Sequence, residues 1–161
     1  MKLNTIPPRL DSLYEIIIQK IFNLDDINIC KRILGFVTTT RRPITLSELK
    51  SFDKILEDIF EDLESLKMIV GLCGSFLILQ NCTIYFVYQS AKDFLLKKVA
   101  NKIFPSSIEE VNYTIFSRSL NILFKTLRRD LYRLCYLEFP IDKVRRPDLD
   151  ALVAVGYSCV Y

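Results

Sequence analysis

Between Ile84 and Leu96 the chain changes hydrophobic period without a break. Ile84, Tyr85, Phe86 and Val87 carry the branched and aromatic side chains of a strand, and Ala91, Phe94 and Leu95 recur at helical spacing. The polar residues Tyr88, Gln89 and Ser90 occupy the joint. Phe76–Leu79 and Thr83–Tyr88 flank the turn-prone Asn81, so the strand at the joint reads as the second arm of a hairpin.

The segments upstream read as helices. Leu10, Leu13, Tyr14, Ile17 and Ile21 recur at helical spacing, with Asp11 and Glu15 near the start where the helix dipole favours anions. Asp25 or Asp26 can cap a second helix carrying Ile29, Cys30, Ile33, Leu34 and Val37 to about Thr39, and Arg41, Arg42 and Pro43 end it. Thr45, Leu46, Ser47 and Glu48 form a capping box for a short third helix. Asp53 can cap a fourth, on which Leu56, Ile59, Phe60, Leu63 and Leu66 make one apolar stripe that stops near Gly71. Helices followed by a hairpin predict a winged helix, mainly α with a small β-hairpin wing. A further helix is expected over Ser90–Lys102, with Ala91, Phe94, Leu95 and Val99 inside and Lys92, Lys97, Lys98 and Lys102 outside.

Phe104 and Pro105 mark a boundary, and Ser106 or Ser107 with Glu109 or Glu110 offers another capping box. The expected division is a linker over 1–8, a winged-helix domain over 9–103 and a truncated helical domain over 104–161. In the second unit Ile115, Leu120, Leu127, Leu131 and Leu134 are the apolar anchors of a long helix, widened by Ile122, Leu123 and Phe124. Pro140 and Pro147 punctuate a loop before a last apolar stretch from Leu152 to Tyr161.

A chain of 161 residues, half of them apolar, can bury on the order of 70% of its extended surface, enough for one domain or one and a half. Five widely spaced cysteines, Cys30, Cys73, Cys82, Cys135 and Cys159, without a CxxC pair, fit reduced thiols in a cytoplasmic protein. No histidine is present, so neither a zinc site nor a metal cofactor is expected. The first eight residues lack the apolar core of a signal peptide, which predicts no secretion. Met68–Leu79, the longest uncharged apolar stretch at about 12 residues, is too short to cross a bilayer, and no membrane partner is expected.

Catalytic constellations are missing as well. The four glycines do not form a phosphate-binding GxxxxGK[ST] loop, and Leu24, Asp25 and Asp26 read as a helix start rather than a magnesium-binding acidic pair. Serine or cysteine nucleophiles would lack a histidine base. Glu57 with Glu61 and Asp58 with Asp62 lie one turn apart on the polar side of a helix, where acids are a solvated face. No enzymatic activity and no catalytic residue are expected.

A winged helix also raises nucleic-acid binding as the alternative function, through the helix before the wing. Charge opposes it. From Ser47 to Leu66 seven acids face Lys50 and Lys54, a local net charge of −5, and each acid at contact range repels a phosphate by about 1 kcal/mol in water. From Arg118 to Arg146 eight bases face three acids, a net charge of +5. This run reads either as a solvated helix face or as a contact surface for the acidic winged helix or a neighbouring domain.

The residues Pro8–Tyr14, Arg42–Leu46, Asp62–Leu66, Ile69–Leu77, Ile84–Leu96, Phe104–Ser106 and Tyr113–Leu120 together resemble the winged-helix and following helical region of fungal NACHT signalling NTPases of the heterokaryon-incompatibility type. The resemblance implies a regulatory module, present without its ATPase core, in a protein whose core binds ATP or ADP and whose C-terminus carries WD40 or ankyrin repeats. It implies the core and the repeats as partners, while the charge balance leads us to expect no nucleic acid. It also assigns one cofactor-binding position, Tyr88, where the family carries a histidine that touches the bound nucleotide. A charged imidazole on a phosphate contributes about 1.5 to 3 kcal/mol and a neutral phenol about 0.5 to 1.5, so locking by nucleotide is expected to be weaker here.

Overall fold

The computed structural model describes residues 8–104, 107–127 and 140. Its elements run α1 (Pro8–Phe22), α2 (Ile27–Thr39), β1 (Ile44–Thr45), α3 (Leu46–Phe52), α4 (Lys54–Ile59), α5 (Leu63–Leu72), β2 (Leu77–Gln80), β3 (Thr83–Phe86), α6 (Gln89–Lys98), α7 (Ala100–Ile103) and α8 (Ile108–Thr126). The architecture is the expected one, a mainly helical winged helix followed by a further helix.

At the centre stands α2. It packs against α1, α3, α5, α6, α7 and α8, and every residue from Ile33 to Thr38 is buried. From α1, Tyr14, Ile18 and Ile21 reach the same core at helical spacing, while Leu13 and Ile16 point outward. Phe52, Leu56, Leu66, Phe76, Ile84 and Phe94 complete it from the remaining elements. Each large apolar side chain so buried contributes about 1.5 to 3 kcal/mol relative to exposure.

The hairpin gains a third strand that the sequence did not reveal. Ile44 pairs with Ile84 and Thr45 with Thr83, giving the antiparallel order β1-β3-β2. Two residues are too short for an alternating pattern, and Thr45 serves twice, as strand end and as N-cap of α3. The capping box forms as expected, Thr45 Oγ1 accepting from Glu48 N at 3.2 Å and Glu48 Oε2 accepting from Thr45 N at 2.8 Å.

At the hairpin turn Asn81 and Cys82 both adopt left-handed backbone, φ 48° and 61°, the geometry of a type I′ turn. Asparagine tolerates that region; cysteine at the second position is strained, because its Cβ crowds the backbone where glycine has none. Cys82→Gly, on this exposed residue, is therefore expected to stabilise the domain by about 0.5 to 1 kcal/mol, read as a higher urea midpoint with unchanged slope.

Four expectations are corrected. The fourth helix is two: Phe60 adopts extended backbone, φ −103° and ψ 100°, which turns its ring into the core. Asp62 then starts α5 by accepting from Ser65 N at 2.7 Å, and Ile59 and Leu63, assigned to the buried stripe, are exposed. The helix over Ser90–Lys102 breaks at the buried Val99 into α6 and α7. Asp26 occupies the N-cap of α2 without a side-chain capping bond. On α8, Ile115 joins the core, but Leu120, Phe124 and Leu127 are exposed; Leu131 and Leu134 lie outside the described residues. Ser107 caps α8, accepting from Glu110 N at 3.2 Å.

Candidate functional site

At the joint, β3 ends at Phe86, Val87 N donates to Phe76 O at 2.8 Å, and Tyr88 becomes the N-cap of α6 in extended backbone. The chain leaves the sheet here and enters the helix across two residues, Val87 and Tyr88. Tyr88 makes no side-chain capping bond, and the residue is 64% exposed. The position singled out from the sequence is therefore a surface phenol on a fixed backbone.

The fixing comes from residues that sequence reasoning did not connect to it. Tyr14 Oη and Ser90 Oγ are hydrogen-bonded at 2.8 Å. The Tyr14 ring lies 5.8 Å from Phe76 and 5.4 Å from Phe94, both tilted, an arrangement aromatic pairs favour. One α1 tyrosine thus clamps both the base of the hairpin and the start of α6. Seventy-six positions separate Tyr14 from Ser90, and the only local signal was a polar tip on an otherwise apolar helical stripe.

Beside the joint lies a cavity of about 200 Å³ whose lining includes Thr40, Arg41, Arg42, Tyr85, Gln89 and Lys92. Tyr88 is not among its lining residues. Lys92, expected outside, turns inward: Nζ donates to Thr40 O at 2.6 Å, and burial holds its pKa below the ordinary lysine value against the pull of Asp93. Arg42 is engaged with Glu48, Nη2 to Oε1 at 2.7 Å. The cations nearest the joint are thereby committed to the chain itself, and Tyr88 offers one neutral hydroxyl.

The acidic stretch divides in two. Glu48 and Asp53, counted with the repulsive face, are buried and paired, Asp53 with Arg32 Nε at 2.6 Å. Glu57, Asp58, Glu61, Asp62 and Glu64 remain exposed. Arg118 of α8 crosses to this face, donating through Nε to Ser51 O at 3.2 Å and through Nη2 to Glu57. One member of the basic run therefore meets the acidic winged helix; Arg128 to Arg146 lie outside the described residues. Among the described residues no group of three His, Cys, Asp or Glu side chains is placed to hold a metal ion, and no helix is long and apolar enough to cross a membrane.

Residues 18–107 match the family described as GPI inositol-deacylase, winged helix domain. The chain is also 49% identical, over 172 aligned positions, to the vegetative incompatibility protein HET-E-1 of Podospora anserina. That similarity covers 99% of this chain and 13% of the relative, so the chain spans about an eighth of the curated protein it matches. No solved structure matches the chain.

Proposed function

This chain belongs to the winged helix family defined on GPI inositol-deacylase, and on that premise we propose that it is a non-catalytic regulatory and interdomain-contact module of a NACHT-type signal-transduction NTPase. The observation that carries the reading is the exposed Tyr88 on a joint held by Tyr14, Ser90 and the sheet. A residue meant to report on a ligand held elsewhere must project from a rigid support, since a mobile contact would lose its interaction energy to ordering entropy. In this reading the ATPase core supplies nearly all of the ADP site and Tyr88 adds one hydrogen bond from the side, in the cytoplasm. The outward Leu13 and Ile16 of α1, and Tyr113, Phe116 and Phe124 of α8, then serve as surfaces against the core and the C-terminal repeats. The same proposal places the domain boundary after Ile103. Ile115 and Arg118 tie the following helix to the winged helix, so the two units move together.

The test exchanges this chain for the corresponding segment of HET-E-1 and follows release of a fluorescent ADP analogue. Tyr88→His is expected to slow release about tenfold, the ratio that corresponds to about 1.4 kcal/mol of added interaction, and Tyr88→Phe to accelerate it. Identical release from all three proteins would remove the nucleotide contact from the proposal.

A further inference from the structure

The seam between α2 and α8 holds a cavity of about 170 Å³, whose lining includes Lys31, Arg32 and Phe36 from α2 and Glu110, Val111 and Thr114 from α8. It shares no lining residue with the cavity beside the joint. Its apolar wall is formed by the buried Phe36 and the partly buried Val111. Its cations are held in place by the protein itself. Arg32 Nε donates to Asp53 Oδ2 at 2.6 Å, and the Asp53 side chain is 4% exposed, so a buried carboxylate fixes the plane of the guanidinium. Among the described residues this is the only hydrogen bond of Arg32, which leaves the donors of both Nη groups unused. Lys31 Nζ stands 4.7 Å from the centroid of the Phe22 ring, a contact that restrains the ammonium, and makes no hydrogen bond or ion pair among the described residues.

Charge and volume together define what fits. Lys31 and Arg32 share the cavity with Glu110, and Arg32 is already partly neutralised by Asp53. One negative charge is therefore matched, whereas a phosphate dianion would be repelled by two carboxylates. A cavity of about 150 Å³ accommodates a benzene ring, so the space here suits a body of about that size and excludes a nucleotide or a sugar phosphate.

We propose that the seam between α2 and α8 is a binding site for a small monocarboxylic acid with a ring-sized apolar body. The carboxylate is held by Lys31 and the Arg32 Nη groups, and the body lies against Phe36 and Val111. Charge-assisted hydrogen bonds fix its orientation, and displacement of water from the apolar wall supplies further affinity. An occupant touches α2 and α8 at once, so it tightens the following helix onto the winged helix. The site is independent of the nucleotide reading of Tyr88, and neither stands or falls with the other.

The experiment titrates the full chain with benzoate and follows the methyl NMR signals of Val111 and Thr114 together with the melting temperature. Benzyl alcohol, of the same shape without the charge, and inorganic phosphate, an anion without the body, are the comparison ligands. Benzoate is expected to shift both methyl signals saturably, with a Kd on the order of 1 mM, as befits so small a ligand. At about tenfold excess over that Kd it should raise the melting temperature by about 3 °C or more. Benzyl alcohol should bind about tenfold more weakly, and phosphate should leave the two signals in place. Two variants test the charges in opposite directions. Lys31→Met should weaken benzoate about tenfold, and Glu110→Gln, on an exposed side chain, should tighten it about threefold by removing a like charge. The proposal is overturned if benzoate gives no saturable shift, if phosphate moves the same signals as strongly, or if Glu110→Gln leaves the benzoate affinity unchanged.

Discussion

Phe94→Ala should cost about 3 to 5 kcal/mol, the range for deleting a fully buried phenylalanine that leaves a cavity. Phe94 is fully buried at the centre of the core, with the Tyr14 ring 5.4 Å away and that ring in turn against Phe76. Removing it withdraws the support that positions Tyr14, and with it the 2.8 Å bond to Ser90 at the start of α6. Domains of this size are stable by only about 5 to 15 kcal/mol, so the variant should lose much of its margin, shifting the urea midpoint by roughly 2 M. Tyr14→Phe separates the two contributions. It keeps the ring and loses the hydroxyl, and should cost only about 0.5 to 1.5 kcal/mol. If Phe94→Ala cost no more than Tyr14→Phe, the aromatic clamp would not be what holds the joint.

The second large effect concerns charge. Arg42→Ala strands Glu48, whose side chain is 2% exposed and whose other partner is Thr45 N. Breaking a buried pair by deleting one member leaves a carboxylate without compensation. Because Arg42 itself is 29% exposed, water screens part of the pair, and the loss should be about 1.5 to 3 kcal/mol rather than the larger figure for a fully enclosed bridge. A double-mutant cycle supplies the check. Glu48→Gln keeps an oxygen for Thr45 N and removes the charge, so adding it to Arg42→Ala should recover part of the stability. An Arg42→Ala variant as stable as the parent would show that Glu48 finds water in spite of its burial.

Glu48 also illustrates how far the sequence could be read. Its capping bonds with Thr45 are local, three residues apart, and the spacing alone announced them. Its burial against Arg42, six positions back, carries no such spacing signal, and the same residue was counted as one acid of a repulsive stretch. Asp53 repeats the case, a legible helix cap that also pairs with Arg32 twenty-one positions away. The likeness to fungal incompatibility proteins, carried by several short segments at once, is borne out by the match to HET-E-1. At the joint the strand and the helix were readable from the change of period; the exposure of Tyr88 was not. The clamp through Tyr14 was not, because nothing in a helical stripe says which distant hydroxyl a tyrosine tip will meet.

Whatever depends on neighbours along the chain was written in the amino acids themselves: the helical stripes, the Thr45 box, the Asn81 turn, the mainly helical winged-helix architecture and the want of a histidine base. These follow from spacing, backbone preference and side-chain inventory, which need no knowledge of the far end of the molecule. Packing decided the rest. It broke the helix at Phe60 so that the ring could enter the core, paired β1 with β3 and turned Lys92 inward to Thr40. Each of these joins residues far apart in the chain, where burial and partner choice are set by the shape of the assembled core and leave no periodic trace in either segment alone.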